Sequence, residues 1–317
     1  MVYSPINICG NKYRSRLLLG LFSIILFSSN MALSQDSLKM EFPELELLEI
    51  NQLNLYESNR FDLSGLVIHD QRFYVVADKG HNNYIYEIQK TNASGQDRWD
   101  IIGTINLGIF DLIDLEGIDY CDGVYYLINE IGNKVYALTS DEQLIELSIN
   151  FYLKKIDVST WDSNAGLEGI AVDCEHDIIY LAKERGPRRL FAIEKKYGNI
   201  TSDWNIPETE SNDFADLKFE NGFLYGLERN GNYIAKIDVK TLNVVSKVSY
   251  KHVASHENGK LYTPSKFGMA EALAFTKEYI YIGIDNNGLS VSTFAKETYG
   301  MGGNQPAILK FVRPEGF

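Results

Sequence analysis

Asp114-Leu115-Glu116-Gly117-Ile118 and Gly166-Leu167-Glu168-Gly169-Ile170 stand 52 residues apart and read almost alike. Working outward from them, three more segments open in related ways: Asp62-Leu63-Ser64-Gly65-Leu66, Asp213-Phe214-Ala215-Asp216-Leu217 and Met269-Ala270-Glu271-Ala272-Leu273. After each opening come a turn and a strand-like run ending in an acid, namely Asp78, Glu130, Glu184, Glu228 and Asp285. A third strand usually follows, as in the runs beginning at Tyr84, Lys134, Arg189 and Tyr233. Asp122-Gly123 and Asn221-Gly222 suit two-residue hairpin turns, because both positions tolerate positive φ. A period of roughly 40 to 50 residues with about four strands per unit marks a β-propeller, whose blades bury their faces only by stacking on neighbours.

The expected fold is therefore all-β, a single propeller of five blades. Six is the alternative if Ser140 to Val158 or Val244 to Tyr262 hides irregular strands. The fifth repeat lacks a clean outer strand, so the strand-like run from Leu45 to Asn54 is expected to close it from the N-terminal side, helped by the run from Ala307 to Val312. The stretch from Lys251 to Gly268, with His252, His256 and Pro264, reads as a surface connection, or alternatively as a lid over one mouth. Composition agrees with strands. Of the 317 residues 45% are hydrophobic and 12% aromatic, with 20 Tyr, 16 Phe and only 7 Pro, which excludes a disordered chain and fits pleated, half-buried surfaces.

The first residues read as a transport signal. Lys12, Arg14 and Arg16 precede an apolar run from Leu17 to Phe27, and Ala32-Leu33-Ser34 has the form of a signal-peptidase site. The division is thus residues 1–34 as signal peptide and 35–317 as propeller, in a periplasmic or secreted protein. The apolar run falls short of the roughly 20 residues of a membrane span; an uncleaved anchor is the alternative, and no span is expected after cleavage. Cys121 and Cys174 would remain. They occupy similar places in different repeats, so they are expected to lie too far apart for a disulfide.

Acids outnumber bases 43 to 30, a formal charge of −13, and such a surface repels a phosphate backbone, which argues against nucleic acid as a partner. The repeats direct these acids to one place. Reflecting each opening through its hairpin turn sets Glu116 opposite Asn129 and beside Glu130, Ala215 opposite Glu228, and Glu271 opposite Asp285, with Glu168 and Glu184 similarly related. Innermost strands line a propeller's channel, so these acids converge on one mouth, where they repel unless cations neutralise them. Calcium, which takes six to eight oxygen ligands in a loose geometry, suits such a ring. The candidate ligands are Glu116, Glu168 and Glu271, with Asp78, Glu130, Glu184 and Asp285 as alternates and Asn286 as an amide oxygen; hydrogen bonds from turn amides or pairing with bases would also satisfy these acids. No His-Glu-x-x-His or Cys-x-x-Cys points to zinc.

Lys79, Arg185 and Arg229 each follow one of the acids and are candidates to hold an anionic substrate, or else to pair locally with their acidic neighbours. Glu168 and Glu184 are the candidates for proton transfer. Ser64 takes the Glu position of the first repeat, but no Gly-x-Ser-x-Gly surrounds it, and it reads as structural.

Taken together, Asp114 to Ile118, Asn164 to Ile170, Leu227-Glu228-Arg229, and Glu271-Ala272-Leu273 with Ile284-Asp285-Asn286-Asn287 resemble the esterase-like phytase family of propellers. The Asp62 to Leu66 opening and Ala182-Lys183-Glu184-Arg185-Gly186-Pro187 resemble equally the SdiA-regulated family, and the likeness spans roughly residues 61 to 288. The resemblance implies an exported propeller, calcium, and hydrolysis of phosphate esters such as phytate. Its departures are Ala215-Asp216 in place of Glu-Gly and Ala272 in place of Gly, which implies different ligands, or none, from the last two blades. Three functions follow as alternatives: a calcium-dependent phosphoesterase with a small anionic substrate, a non-catalytic envelope propeller with structural calcium and a protein or glycan partner, and a lactonase-like hydrolase. A monomer is expected.

Overall fold

A computed structural model describes residues 42–55, 60–79, 82–93, 95–109, 113–206, 209, 213–265 and 269–317. The transport signal and its cleavage site lie outside the described residues. The strands are β1 (Leu47–Asn54), β2 (Asp62–His69), β3 (Arg72–Asp78), β4 (Tyr84–Ala93), β5 (Gln96–Asn106), β6 (Leu115–Cys121), β7 (Val124–Asn129), β8 (Lys134–Leu138) and β9 (Leu144–Leu147). They continue with β10 (Leu167–Asp173), β11 (Ile178–Lys183), β12 (Arg189–Glu194), β13 (Ile200–Trp204), β14 (Asp216–Glu220), β15 (Phe223–Glu228), β16 (Tyr233–Asp238) and β17 (Val244–Ser249). Last come the short β18 (Ser255–His256), β19 (Gly259–Lys260) and β20 (Tyr262–Thr263), then β21 (Ala270–Phe275), β22 (Tyr279–Ile284), β23 (Ser290–Val291) and β24 (Ala307–Val312).

Antiparallel pairing sorts these strands into four-stranded units. Units 2, 3 and 4 are β6-β7-β8-β9, β10-β11-β12-β13 and β14-β15-β16-β17. Unit 1, β2-β3-β4-β5, and unit 5, β21-β22-β24-β1, share one eight-stranded sheet because β1 and β5 meet in a short parallel bridge, Leu53 beside Trp99 and Asn54 beside Asp100. The N-terminal strand closes unit 5 by pairing along β24, from Leu47 opposite Phe311 to Gln52 opposite Ala307. The stretches that might have hidden a sixth unit supply the outer strands β9 and β17 of units 2 and 4.

Packing makes this a propeller. Hydrophobic core clusters lie between successive units: Val76 and Tyr74 against Leu127 and Ile118, Ile128 and Val135 against Ile170 and Leu181, Ala171 and Tyr180 against Leu217 and Leu224, Leu227 and Tyr225 against Leu273 and Ile280, and Ala272 and Tyr281 against Leu66 and Val75. The last cluster joins unit 5 to unit 1 and closes the ring. No unit could bury both faces alone, which is why the repeats are interdependent. Asp122 and Asn221 have φ of 50° and 52°, and the glycines after them 84° and 82°, the double positive φ that a two-residue hairpin of matching twist requires.

Inner strands crowd together at the channel. A Cβ on Gly117 would stand 2.5 Å from the carbonyl oxygen of Glu168, and one on Gly169 2.8 Å from the Leu217 nitrogen; the Gly of the Glu-Gly motif is the contact between one inner strand and the next. This crowding also corrects the expectation for the cysteines. Cys121 ends β6 and Cys174 follows β10, with Cα atoms 5.8 Å apart, and they form a disulfide that ties unit 2 to unit 3. Equivalent positions are far apart on outer strands but close on inner ones.

The stretch after β17 is more structured than a surface connection. Residues 251–254 form a short helix, β20 pairs with β23, and Val253, Leu261 and Tyr262 are buried in the core between units 4 and 5. Residues 266–268 lie outside the described residues. His252 sits 3.9 Å from Glu44 and His256 stacks on Phe294; neither lines the central cavity.

Candidate functional site

One mouth of the channel holds a cavity of about 400 Å³. Eight carboxylates line it, Asp78, Glu116, Glu130, Glu168, Glu184, Asp213, Glu271 and Asp285, against three cations, Lys79, Arg185 and Arg229. Its size suits a small molecule or ion cluster.

Backbone irregularity aims the key side chains. Pairing slips by one residue between Leu63 and Gly65, Leu115 and Gly117, Leu167 and Gly169, and Ala270 and Ala272. Ser64, Glu116, Glu168 and Glu271 are therefore the extra residues of four β-bulges, a device that re-aims a side chain. The simple reflection across each turn is corrected accordingly: Asn129 faces Leu115, and Glu116 and Glu271 have no residue opposite. The acid ending the second strand is nevertheless brought alongside. Glu130, Glu184 and Asp285 donate their amides to the carbonyls of Asp114, Gly166 and Met269 at 2.9, 2.9 and 2.8 Å. Ser64, in the same place in unit 1, donates its hydroxyl to the Leu115 carbonyl.

Unit 4 departs from the pattern. Pairing of β14 with β15 is regular, Ala215 replaces the bulged Glu, and Glu228 points to Arg188, 3.1 Å away, rather than into the cavity. Asp216, where units 1 to 3 carry Gly, is fully buried and accepts the amide of Leu273 at 2.7 Å and Lys218 at 3.1 Å. Lys218 also reaches across the channel to the Ile118 carbonyl at 2.9 Å. Unit 4 thus supplies a brace between inner strands, and Asp213 with Arg229 enters the cavity instead. In unit 5, Ala272 is accommodated because the facing residue is Gly283, where a Cβ would meet the Ala272 methyl at 2.8 Å; Glu271 consequently keeps its place.

Oxygens converge in two groups. One atom each from Asp78, Asp114 and Glu116 lie within 4.8 Å of one another, and so do atoms of Glu130, Glu168 and Glu184. Glu116 and Glu168 are 8% and 6% exposed, and neither has a hydrogen bond or ion pair among the described residues. Burial pushes both carboxyls well above the ordinary range, helped at Glu116 by Glu168 and Asp78, while Arg229 opposes the rise at Glu168. Burial likewise outweighs Lys79 at Asp78, which is pushed up to about 7, outweighs the Gly166 amide at Glu130, and raises Asp285 well above its usual value. Asp78 Oδ1, Glu184 Oε2 and Glu271 Oε2 are buried with no hydrogen-bond partner among the described residues.

The three cations are engaged by acids. Arg229, only 14% exposed, contacts Glu271 at 2.5 Å, Asp213 at 3.2 Å and Glu184. Glu184 also binds Arg185, and Asp78 binds Lys79. Arg185 and Lys79 are 42% and 45% exposed at the rim. Of the predicted ligands Asn286 alone lies off the cavity: its amide nitrogen braces the loop by donating to Leu289 and Asn304, and Asn287 takes the lining position. Sequence reasoning passed over Asp114 and Asp213 as site residues, although an acid recurs at the first motif position in three repeats. It also passed over Lys183, buried at 1% exposure, which donates to the carbonyls of Ala165 at 2.7 Å and Arg185 and so holds the rim segments that carry Asn164 and Arg185.

No curated protein sequence matches the chain significantly. Among solved structures, a glutaminyl cyclase from Myxococcus xanthus is similar with a TM-score of 0.51 at 15% identity, over 86% of this chain and 100% of that one. A gluconolactonase from Xanthomonas campestris aligns with a TM-score of 0.43 at 12% identity, over 79% of this chain and 72% of that one. At these identities the likeness concerns the fold. The SdiA-regulated family model matches residues 48–255, covering four of the inner strands and three of the four bulges, and the chain belongs to that family.

Proposed function

We propose that the chain is an exported, calcium-dependent propeller hydrolase acting on a small anionic ester, with phosphate monoesters, phytate among them, as the first substrate class. The observation that carries this reading is the pair Glu116 and Glu168: nine-tenths buried, unpartnered among the described residues, and aimed by bulges into a cavity where acids exceed bases. Without a cation such charges are costly. The donor set fits a hard cation. It is all oxygen, and it includes the unpartnered Asp78 Oδ1, Glu184 Oε2 and Glu271 Oε2.

Glu116, Glu168, Asp78 and Glu130 would hold the ion, with Glu271 and Asp285 completing the ring; when bound, calcium supplies the positive charge that draws in a phosphoryl oxygen and acidifies a water. Lys79 and Arg185, exposed at the rim, would orient the ester's remaining oxygens. Glu184, fixed from two sides by Arg185 and Arg229, is held as the oriented carboxylate that accepts a proton from the attacking water, with Glu168 as the alternative. Arg229 would position Glu184 and Glu271 from beneath. The disulfide supports export, since such bonds persist in oxidising compartments.

A specific observation favours a second reading, a non-catalytic envelope propeller with structural calcium and a protein or glycan partner. Each of the three cations already faces an acid, which an ion serving stability alone would leave undisturbed. The test is phosphate release from phytate and simple monoesters by residues 35–317, stripped of divalent ions and then resupplied with calcium. Calcium-dependent release lost in Glu184→Gln supports the enzyme; a rise in melting temperature with calcium but no release of phosphate, and no lactone opening, selects the second reading.

A further inference from the structure

The three most exposed large hydrophobic residues among those described are Tyr152 at 70%, Leu153 at 59% and Tyr197 at 57%. They lie on two loops that are joined to each other. Asn150 donates its backbone amide to the Gly198 carbonyl at 2.8 Å and its side chain to the Tyr197 carbonyl and Asn199 Oδ1, both at 2.9 Å. The first loop is a turn of 3-10 helix over Phe151–Lys154, anchored by Phe151, which is buried edge-on against Phe191 and Trp161. Tyr152 and Leu153 are thus held outward on a fixed support.

Both loops carry lysines beside the exposed apolar groups: Tyr152-Leu153-Lys154-Lys155 in one and Lys195-Lys196-Tyr197 in the other. Lys195 pairs with Asp177 at 2.5 Å. Lys154 and Lys155 have no ion pair among the described residues, and Lys196 lies over the Tyr197 ring at 4.9 Å. On a chain of charge −13, a cationic patch that also exposes two tyrosines and a leucine is out of character with the rest of the surface. Lysines with interfacial aromatic and aliphatic side chains are the combination that seats a protein on an anionic bilayer: the ammonium groups meet lipid phosphates while the apolar groups enter the headgroup boundary.

We infer that the loops at 150–155 and 195–199 form a peripheral docking surface for an anionic lipid membrane. No helix of the described residues is long and apolar enough to cross a membrane, and the net negative charge of the chain disfavours approach to an anionic bilayer through its acidic faces.

The experiment is cosedimentation of residues 35–317 with vesicles of phosphatidylcholine mixed with phosphatidylglycerol, with a chelator present so that divalent ions cannot bridge acids to lipid. Binding is expected to the mixed vesicles at low salt, to fall as salt rises, and to be absent from phosphatidylcholine alone. The variants Lys154→Glu/Lys155→Glu and Tyr152→Ser/Leu153→Ser change only exposed side chains; each is expected to reduce the bound fraction by roughly tenfold or more with an unchanged melting temperature. Failure of the wild type to sediment with the mixed vesicles, or sedimentation of both variants at the wild-type level, would overturn the assignment.

Discussion

The two sides of the acidic cavity meet the same electrostatic problem differently. Toward units 4 and 5, one arginine, Arg229, lies among Glu184, Asp213 and Glu271, so the neutralising charge is built into the chain. Toward units 1 to 3, Glu116 and Glu168 stand on bulges with no ion pair among the described residues, and burial raises both carboxyls well above the ordinary range. The difference traces to unit 4, where the bulged glutamate is replaced by Ala215 and the following glycine by the bracing Asp216. One side carries its own ion pairs; the other holds two buried carboxylates without one among the described residues.

Substitutions should separate the two sides. The largest effect is expected from Arg229→Met, which removes the partner shared by three carboxylates and leaves Glu271 without its ion pair; removing one partner of a buried ion pair costs about 3–5 kcal/mol. Thermal and urea unfolding at neutral pH would show it, and added calcium should recover part of the loss, since the variant makes this side resemble the other. The Cys121→Ser/Cys174→Ser variant comes next, losing about 2–4 kcal/mol. Because the disulfide lies at the far end of the inner strands from Glu116 and Glu168, calcium affinity should not change.

The third contrast is in pH dependence. Glu116, Glu168 and Asp78 have folded values raised above their unfolded ones. Their contribution to stability is therefore fully present below the unfolded values of 3.8 for Asp and 4.5 for Glu and is lost as pH rises through the folded values. The ion-stripped protein should lose stability upward from that range, through about pH 7 for Asp78. Glu168→Gln should stabilise the stripped protein at neutral pH by at least about 1 kcal/mol and flatten the profile; a steeper profile in that variant would contradict the assignment. The smallest effect belongs to Arg185→Ala. The residue is 42% exposed and Arg229 still holds Glu184, so the stability change should stay within about 1 kcal/mol while substrate binding, if Arg185 orients the ester, weakens.

Much of this was legible in the chain. Five repeated openings foretold the propeller and the convergence of acids on one mouth, and the strand from the N-terminus was placed correctly beside Ala307–Val312. The bulges were not legible, because alternation along a strand predicts faces but not an inserted residue, and Glu116 reads as an ordinary member of its strand. Nor was the Cys121–Cys174 bond, which depends on how closely inner strands approach. Arg229 was visible as a cation beside an acid, but its reach to Glu271 and Asp213 depends on the closure of the ring, a property of the whole fold.

The central claim, that Glu116 and Glu168 await a divalent cation, is tested most directly by calorimetric titration of calcium into ion-stripped residues 35–317, the wild type beside Glu116→Gln/Glu168→Gln. Saturable binding by the wild type that is lost in the double variant, with the variant's metal-free stability equal or higher, is the predicted result. No saturable binding by the wild type, or equal binding by both proteins, would contradict it.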